Sequence, residues 1–124
     1  MPDKLALLIW AATPERPDLV VTPLVHALAA RALDAEVEIH FAGPAVRWLV
    51  DGVADTAYAT ADHEKSVGVF MRELIAEDVR LLACGMARAA WVVAGEALIP
   101  AAGAAGATAF VARTLDPAWR TQVF

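Results

Sequence analysis

The sequence predicts an α/β fold, in which helices pack on both faces of a mostly parallel, five-stranded sheet. The chain has 124 residues, a length that suits one domain, and no linker or low-complexity tract divides it. An apolar run over residues 4–11 is typical of a strand that is buried on both faces. Strand-like and helix-like hydrophobic patterns then alternate, which favours right-handed crossovers between parallel strands. We therefore expect residues 1–124 to form a single-domain, three-layer sandwich with a Rossmann-like or flavodoxin-like arrangement.

A helix and a second strand are predicted to follow the first strand. Thr22-Pro23 supplies an N-cap followed by proline at the first helical position, and apolar residues recur at helical spacing to about Leu33. Residues 36–42 alternate between apolar and polar side chains, which indicates a strand with one polar face. A strand of this kind is expected at a sheet edge or beneath a contact between subunits.

The middle of the chain predicts two short elements and then a longer helix. The apolar spacing over residues 46–53 suggests a short helix, and residues 56–59 could add a short strand. Asp62 is a favourable helix cap, and apolar residues between 67 and 75 form the clearest amphipathic stripe of the sequence. We therefore expect a helix that is capped near Asp62 and covers one face of the sheet.

The last third contains the segment on which the functional hypothesis depends. Residues 79–83 form a predicted strand, and residues 86–94 form the helix that follows it. Residues 107–112 fit either a strand or part of a helix over 103–115, with a closing strand over 119–124 in the second case. The spacing alone leaves both alternatives open.

Composition and charge exclude several classes of function. The chain carries 10 basic and 15 acidic side chains, a net charge of −5, and has no cluster of Lys and Arg. This balance argues against nucleic acid and against an anionic membrane surface as partners. Apolar residues make up 59% of the chain, which leaves apolar surface for contacts between copies and predicts a homo-oligomer. A single cysteine excludes an internal disulfide framework and suits a reducing, cytoplasmic compartment.

The one cysteine, Cys84, lies where open α/β sheets usually bind ligands, between a strand end and a helix N-terminus. Partial positive charge at the start of a helix favours a thiolate over a thiol. Gly85 would let the backbone bend and approach closely, and Arg88, one turn into the helix, could return towards the sulfur. This pattern predicts Cys84 as a nucleophile or sulfur carrier, with Gly85 and Arg88 as binding residues.

The same residues also have structural interpretations. Free cysteines often serve as small buried hydrophobic residues, and Arg88 alone is typical of a solvated helix face. Elsewhere, His26, His40 and His63 share no metal-ligand spacing, so no metal is expected. Residues 11–16 lack the glycines of a phosphate-binding fingerprint, which argues against a nucleotide, and no cofactor is expected.

Several short motifs resemble one known family. Residues 79–84, VRLLAC, resemble the strand of the DsrE-like (DsrE/DsrF/TusD-type) sulfur-relay family that ends in "ACx" before a helix. The likeness continues in residues 98–100, LIP, then in an Ala/Gly-rich helix and a short closing strand that ends in phenylalanine. Residues 37–41, VEIHF, followed by Gly43, resemble the second strand of the family and its exit. The resemblance favours the helix over 103–115 among the two alternatives for the tail.

The resemblance implies a specific role for Cys84. Members of the family are small α/β domains that assemble as homo- or hetero-oligomers, often trimers or hexamers. Some members carry a cysteine at this strand end, which receives sulfur as a persulfide and passes it to the next protein, while other subunits lack it. By this likeness, the partners would be a sulfur donor protein and a sulfur acceptor protein, and Cys84 would be the carrier.

Three hypotheses therefore remain open from the sequence. The first is a cytoplasmic sulfur-relay protein that uses Cys84. The second is a non-catalytic oligomeric subunit, or a module that binds a small ligand, in which Cys84 is merely buried. The third is a thiol-based redox sensor in which Cys84 is oxidised to a sulfenic acid.

Overall fold

Five parallel strands form one sheet, with β2 at its centre. The computed structural model describes residues 3–124. The strands are β1 (Lys4–Ile9), β2 (Glu36–Phe41), β3 (Arg80–Ala83), β4 (Gly103–Ala104) and β5 (Trp119–Val123). Their order across the sheet is β4-β3-β2-β1-β5, and every neighbouring pair is parallel. The predicted α/β class and five-stranded sheet are confirmed.

Helices cover both faces of this sheet and give it three layers. They are α1 (Pro17–Ala32), α2 (Val67–Ala76), α3 (Gly85–Trp91) and α4 (Ala107–Leu115), with 3₁₀ helices at Gly43–Leu49 and Ala54–Thr56. Helices α1 and α2 contact each other and strands β1 to β3, while α4 contacts β1 and β5. Helix α3 contacts chiefly the first 3₁₀ helix. Because β5 follows β4 only after a crossover past three strands, α4 is the helix that returns the chain across the sheet.

The two faces of the sheet differ in how much apolar surface they bury. The larger core includes the fully buried side chains of Leu7, Leu24, Ile39, Phe41 and Trp48. A separate, smaller core consists of Ala6, Phe110 and Trp119, with Leu8 packed against it. Each large side chain that is buried in this way stabilises the fold by about 1.5–3 kcal/mol. The smaller core leaves room on that face for the polar residues of β2.

Helix α1 begins six residues earlier than predicted. Its first residue is Pro17, which follows the N-cap residue Arg16, and Pro23 lies buried inside the helix. The prediction was wrong because both prolines satisfy the rule that favours proline at the first helical position. Asp18, in the first turn, accepts hydrogen bonds from the guanidinium of Arg16 at 3.0 and 2.9 Å, which favours the earlier start.

The segment between β2 and α2 is less regular than predicted. Its apolar residues form 3₁₀ helices, and the expected strand at 56–59 is reduced to one isolated bridge between Tyr58 and Ser66. Helix α2 is capped by Ser66, whose hydroxyl accepts a hydrogen bond from the Val69 N–H at 3.2 Å. The prediction of Asp62 as the cap was wrong, because its carboxylate instead accepts from the Thr60 hydroxyl and the Glu64 N–H. Several polar residues stand before this helix, and only the one next to its first apolar residue caps it.

The tail contains the predicted helix and closing strand, with a later helix start. Residues 107–115 are helical and residues 119–123 form β5, which confirms the helical alternative. Residues 103–104 are instead the edge strand β4, and a side chain at Gly103 would approach Leu82 Cδ2 to 2.9 Å. A side chain at this position would need only a small movement of the flexible end of the Leu82 side chain.

Strand β2 does not lie where its polar face predicted. It is a central strand, paired with β1 and β3, and its polar side chains Glu38 and His40 are buried within the chain itself. The expectation of a sheet edge or a subunit contact was wrong, because α4 and its Arg113 cover this face. Arg113 from this distant helix and Arg80 from the neighbouring strand β3 satisfy the polar face, and the alternation in β2 could not reveal them.

Candidate functional site

Cys84 stands at the carboxyl end of β3 and immediately before the first residue of α3. Its N–H donates to the Phe41 carbonyl at 3.0 Å, and its own carbonyl accepts from the Arg88 N–H at 2.8 Å. These two bonds continue the sheet on one side and open the helix on the other, so the backbone at Cys84 is fixed. The side chain is half-buried, packs against the main core and makes no capping hydrogen bond with α3. The thiol is thus held in place but not occupied by a hydrogen bond to the helix start.

Gly85 is the first residue of α3, and its backbone needs no special freedom. Its φ lies outside the left-handed region, and a Cβ added there would have no neighbour within 4 Å. The expected reason for a glycine, a sharp bend or a close approach, is therefore wrong. The absence of a side chain instead leaves open space next to Cys84.

The guanidinium of Arg88 lies on the exposed surface of α3. It makes no hydrogen bond or ion pair with any residue in the range 3–124, and the hydrogen bond that joins Arg88 to Cys84 runs from the Arg88 backbone N–H to the Cys84 carbonyl. Arg88 is exposed, and its guanidinium makes no hydrogen bond with the Cys84 sulfur. An unpaired cation one turn from Cys84 remains available to an anion that approaches the helix.

A shallow depression lies beside α3. It has a volume of about 380 Å³ and contains both Gly85 and Arg88; the other lining residues are Ala89, Val92, Val93, Ala94, Gly95 and Glu96. Met86, adjacent to it in sequence, is 84% exposed. The structure therefore brings the two predicted binding residues together, while Cys84 lies next to the depression in sequence and is not among its lining residues.

A clamp formed by Arg47 and Glu96 fixes the far wall of this depression. Both guanidinium nitrogens of Arg47 donate to the Glu96 carboxylate at 2.9 Å, and Arg47 also donates to the Trp91 carbonyl at 2.9 Å. The Val93 N–H donates to the same carboxylate at 2.9 Å. Hydrogen bonds from Arg47, and then from the Val93 N–H, lower the pKa of Glu96 from 4.5 to about 2. The segment after α3 is therefore tied to the first 3₁₀ helix by a charged pair that the sequence did not indicate.

A second polar cluster lies under α4, on the opposite side of the sheet from α1. Glu38 is buried, and its carboxylate accepts from Arg113 Nε at 2.8 Å and from Arg80 at 2.9 Å. His40 Nε2 lies 2.9 Å from the same carboxylate, and its ring packs edge-on against Phe110. The alternation of β2 indicated a polar face, but only the fold shows that Arg113 reaches it from 75 residues away.

Burial and charge act in opposite directions on Glu38. Burial raises the pKa of this carboxyl group, but hydrogen bonds from Arg113 and His40 outweigh it and hold the pKa below its ordinary value. His40 Nδ1 is buried and has no hydrogen-bond partner among the described residues. The cluster is therefore an anion held by neighbouring cations, and it joins three separate elements of the fold.

Two further classes of feature do not occur in the described part of the chain. Across residues 3–124, no group of three or more His, Cys, Asp or Glu side chains is arranged to hold a metal ion. Within the same range, no helix combines the length and apolar character that crossing a membrane requires.

Comparison with known proteins gives a family. The model of the DsrE/DsrF-like family matches residues 4–120. The crystal structure of the ychN protein from E. coli superposes with a TM-score of 0.76 at 14% sequence identity, and the alignment covers 100% of both chains. At this identity the likeness shows the fold. No curated protein sequence matches the chain.

The match runs from the start of β1 to the first two residues of β5 and includes Cys84 and all four α-helices. The resemblance to the DsrE-like family is thereby confirmed, and the family is generally linked to sulfur relay. The chain belongs to the DsrE/DsrF-like family.

Proposed function

We propose that this protein is a cytoplasmic sulfur-relay subunit in which Cys84 carries sulfur as a persulfide. The observation that carries the proposal is the position of Cys84 at the carboxyl end of β3 and the start of α3, in a chain of the DsrE/DsrF-like family. In parallel α/β sheets this is the edge where reactive groups meet their ligands. The free cysteine makes no capping hydrogen bond, so its sulfur is available for chemistry.

The proposed reaction has two balanced steps. In the first, the Cys84 thiolate attacks the sulfane sulfur of a donor such as thiosulfate; an S–S bond forms, the donor bond breaks and sulfite leaves with the electron pair. In the second, an acceptor thiolate attacks the outer sulfur of the Cys84 persulfide, and the Cys84 thiolate leaves. No external oxidant or reductant is consumed, because the sulfane sulfur keeps its oxidation state through both steps.

The helix start and Arg88 support this chemistry electrostatically. The first-turn N–H groups of a helix point towards its N-cap residue and favour negative charge there, although α3 has only 7 residues and its dipole is correspondingly weak. The exposed guanidinium of Arg88 lines the depression beside α3 and would attract an anionic donor. Gly85 would leave room for that donor next to Cys84, since no side chain occupies the space.

The proposed partners are a sulfur donor, a sulfur acceptor and further copies of this chain. Family likeness favours a trimer or a hexamer, and the outer face of α4 supplies an apolar surface for it. Val111 is 50% exposed and Leu115 is 78% exposed on this face, which groups with Ala107, Thr108 and Ala112. Exposed apolar surface of this kind typically marks a protein–protein contact.

A second candidate function rests on the half-burial of Cys84. Its side chain packs against the main core, as structural cysteines do, so the chain could be a non-catalytic subunit of an assembly. A third candidate is a redox sensor, in which the same thiol would react with peroxide and form a sulfenic acid. The three candidates differ in whether the Cys84 thiol takes up sulfur, is oxidised by peroxide or stays unreactive.

A sulfur-transfer experiment separates these candidates. The reduced protein is incubated with thiosulfate labelled in its outer sulfur, desalted, and then exposed to a low-molecular-weight thiol. We expect label to remain with the protein after desalting and to move to the thiol afterwards, and we expect neither in Cys84→Ser. Label that never binds, together with slow alkylation of Cys84 in the folded state, would indicate the structural subunit. Trapping of a sulfenic acid after peroxide treatment, without uptake of label, would indicate the sensor.

An Arg88→Gln variant in the same assay tests the binding residue. Loss of one exposed cation should slow loading by the anionic donor, with a smaller effect at high salt, because exposed charges are screened. A sulfane-sulfur donor without net charge should load the variant at the rate of the wild type. Equal loss with both donors would instead mean that Arg88 affects the structure around Cys84.

A further inference from the structure

A second concave site lies beside α2, and Cys84, Gly85 and Arg88 do not line it. It encloses about 290 Å³ between the first 3₁₀ helix, the turn at residues 50–55, α2 and the segment at residues 99–101. Its lining is mostly apolar and includes Met71, Ile75, Ile99 and Pro100. This volume approaches the lower end of the range that is usual for small-molecule sites.

Backbone hydrogen bonds hold the walls of this cavity in place. The Asp51 N–H donates to the Ala97 carbonyl at 2.8 Å, and the Ile99 N–H donates to the Leu49 carbonyl at 2.8 Å. The segment after α3 is therefore fixed across from the helix without forming regular structure itself. A cavity with walls of this kind exists before any ligand arrives, which reduces the entropic cost of binding.

Three charged side chains line the cavity in addition to the apolar residues. Asp55 Oδ1 accepts from Arg72 at 2.5 Å, and both residues are among those that line the cavity. A side chain at Gly68 would collide with the Asp55 carboxylate, so the glycine permits this ion pair. Asp51 also lines the cavity and is exposed, and its carboxylate has no ion pair or side-chain hydrogen bond within residues 3–124.

These charges set the class of ligand. Asp55 and Arg72 neutralise each other, which leaves Asp51 as an uncompensated negative charge beside an apolar surface. A molecule that fits such a site has an apolar body and one positive charge, because an anion would be repelled and a neutral polar molecule would lose hydration without gaining a partner.

We propose that this cavity binds a small apolar amine. The hydrocarbon or aromatic part would pack against Met71, Ile75 and Ile99, and the protonated amine would lie beside Asp51. This site is separate from Cys84, and its occupation does not depend on the proposed sulfur chemistry. Cys84→Ser should therefore bind the amine as well as the wild type does.

Amide NMR on the full chain tests the proposal, with phenethylamine as the probe. Gly52 and Gly68 line the cavity, whereas Gly85 and Gly95 line the depression beside α3, so four glycine signals report on two places. We expect saturable shifts at Gly52 and Gly68 and none at the other pair. Phenylacetate has a similar aromatic body and the opposite charge, and it should bind about threefold to fivefold more weakly, as expected for one exposed charge.

Three variants make the test specific. Ala101→Trp places a large side chain at the exposed wall of the cavity and should abolish the shifts, whereas Ala29→Trp, on the exposed surface of α1, should leave them unchanged. Asp51→Asn should weaken phenethylamine binding about threefold to fivefold, and it should not weaken the binding of phenylacetate.

Several results would overturn the proposal. Absence of saturable shifts at millimolar probe, equal binding of phenylacetate, or shifts confined to Gly85 and Gly95 would each reject the amine site. Shifts at Gly52 and Gly68 that depend on protein concentration, without any probe, would mean that a second copy of the chain fills the cavity instead.

Discussion

At the scale of single residues, Glu38 shows how a buried charge can be held inside a small sheet. Its carboxylate receives hydrogen bonds from Arg80 and Arg113 and lies 2.9 Å from the His40 ring. Because strand, neighbouring strand and helix all contribute to this one anion, it joins β2, β3 and α4. Removal of the carboxylate would leave the guanidinium of Arg113 without its acceptor beneath the helix.

We predict that Glu38→Gln destabilises the protein by about 1–3 kcal/mol, since the buried carboxylate loses its charge-assisted hydrogen bonds while Arg113 and Arg80, 32% and 58% exposed, keep access to water. Urea unfolding at neutral pH measures the loss. Glu36→Gln is the matched control on the same strand, because Glu36 is largely exposed and contacts Lys4 at 3.5 Å. Its effect should stay below about 0.5 kcal/mol. Equal effects of the two substitutions would show that the buried cluster does not stabilise the fold.

The candidate site was predictable at this scale only in part. The sequence placed Cys84 correctly between a strand and a helix, because an apolar strand that runs into Cys-Gly is a local pattern. It could not identify Arg113 as the ion-pair partner of Glu38 on β2, because the two residues are far apart in sequence. The Arg113 side chain reaches Glu38 only after the chain has crossed the sheet. Long-range ion pairs leave no signal in a single sequence.

At the scale of elements, a charged pair and several backbone hydrogen bonds hold the segment that follows α3, which forms no regular helix or strand. Helix α3 ends at Trp91, and the Arg47–Glu96 pair then connects the next residues to the first 3₁₀ helix. Glu96 of this pair lines the depression beside α3. The strength of the connection should therefore depend on the ionisation of Glu96.

Acid should weaken this connection in a defined range of pH. Hydrogen bonds from Arg47 lower the pKa of Glu96 from 4.5 to about 2, so the folded state binds the proton more weakly than the unfolded state does. The contribution of Glu96 is fully present above pH 4.5 and is lost as the pH falls through about 2. We predict that the difference in urea midpoint between wild type and Glu96→Gln narrows over this interval.

Glu77→Gln is the control for this titration. Glu77 is exposed, and its carboxylate makes no hydrogen bond or ion pair in the described part of the chain. Its midpoint should follow that of the wild type at every pH. If the difference in urea midpoint between the wild type and Glu96→Gln stayed constant from neutral to acidic pH, ionisation of Glu96 would have no role in the clamp.

Element type was more predictable than element boundaries. Strands β1, β2 and β3 follow from apolar runs and alternation, which are properties of a few neighbouring residues, whereas β5 was favoured only by the family resemblance. Helix starts depend on which of several competent residues is used, as the cap by Ser66 in place of Asp62 shows. Strand β4 has only two residues, too few for any periodic pattern, and its pairing with β3 creates it.

At the scale of the whole molecule, the two sheet faces predict how copies of the chain would associate. The face under α1 and α2 is well covered, whereas α4 alone covers the other face and presents Val111 and Leu115 outwards. The sequence indicated an excess of apolar residues, but only the fold shows that several of them gather on one helix. The composition thus predicted oligomerisation, and the structure adds the face on which to test it.

We predict that Leu115→Glu reduces the oligomeric state of the protein in sedimentation velocity, because a charge in an apolar contact is costly to desolvate. Leu33→Glu is the matched control, since Leu33 is 81% exposed at the C-cap of α1, a helix that packs on the opposite face of the sheet from α4. The oligomeric state of Leu33→Glu should equal that of the wild type. Dissociation by the control and not by Leu115→Glu would place the contact on another face.

The central claim is that Cys84 accepts sulfur, and the intact mass of the reduced, native protein after exposure to a sulfane-sulfur donor tests it most directly. We predict a gain of one sulfur atom that a reductant reverses and that is absent from Cys84→Ser. An unchanged mass, under conditions in which the unfolded chain gains the same sulfur, would contradict the claim. Cys84 would then be a residue of the core, and the chain would be a structural member of its family.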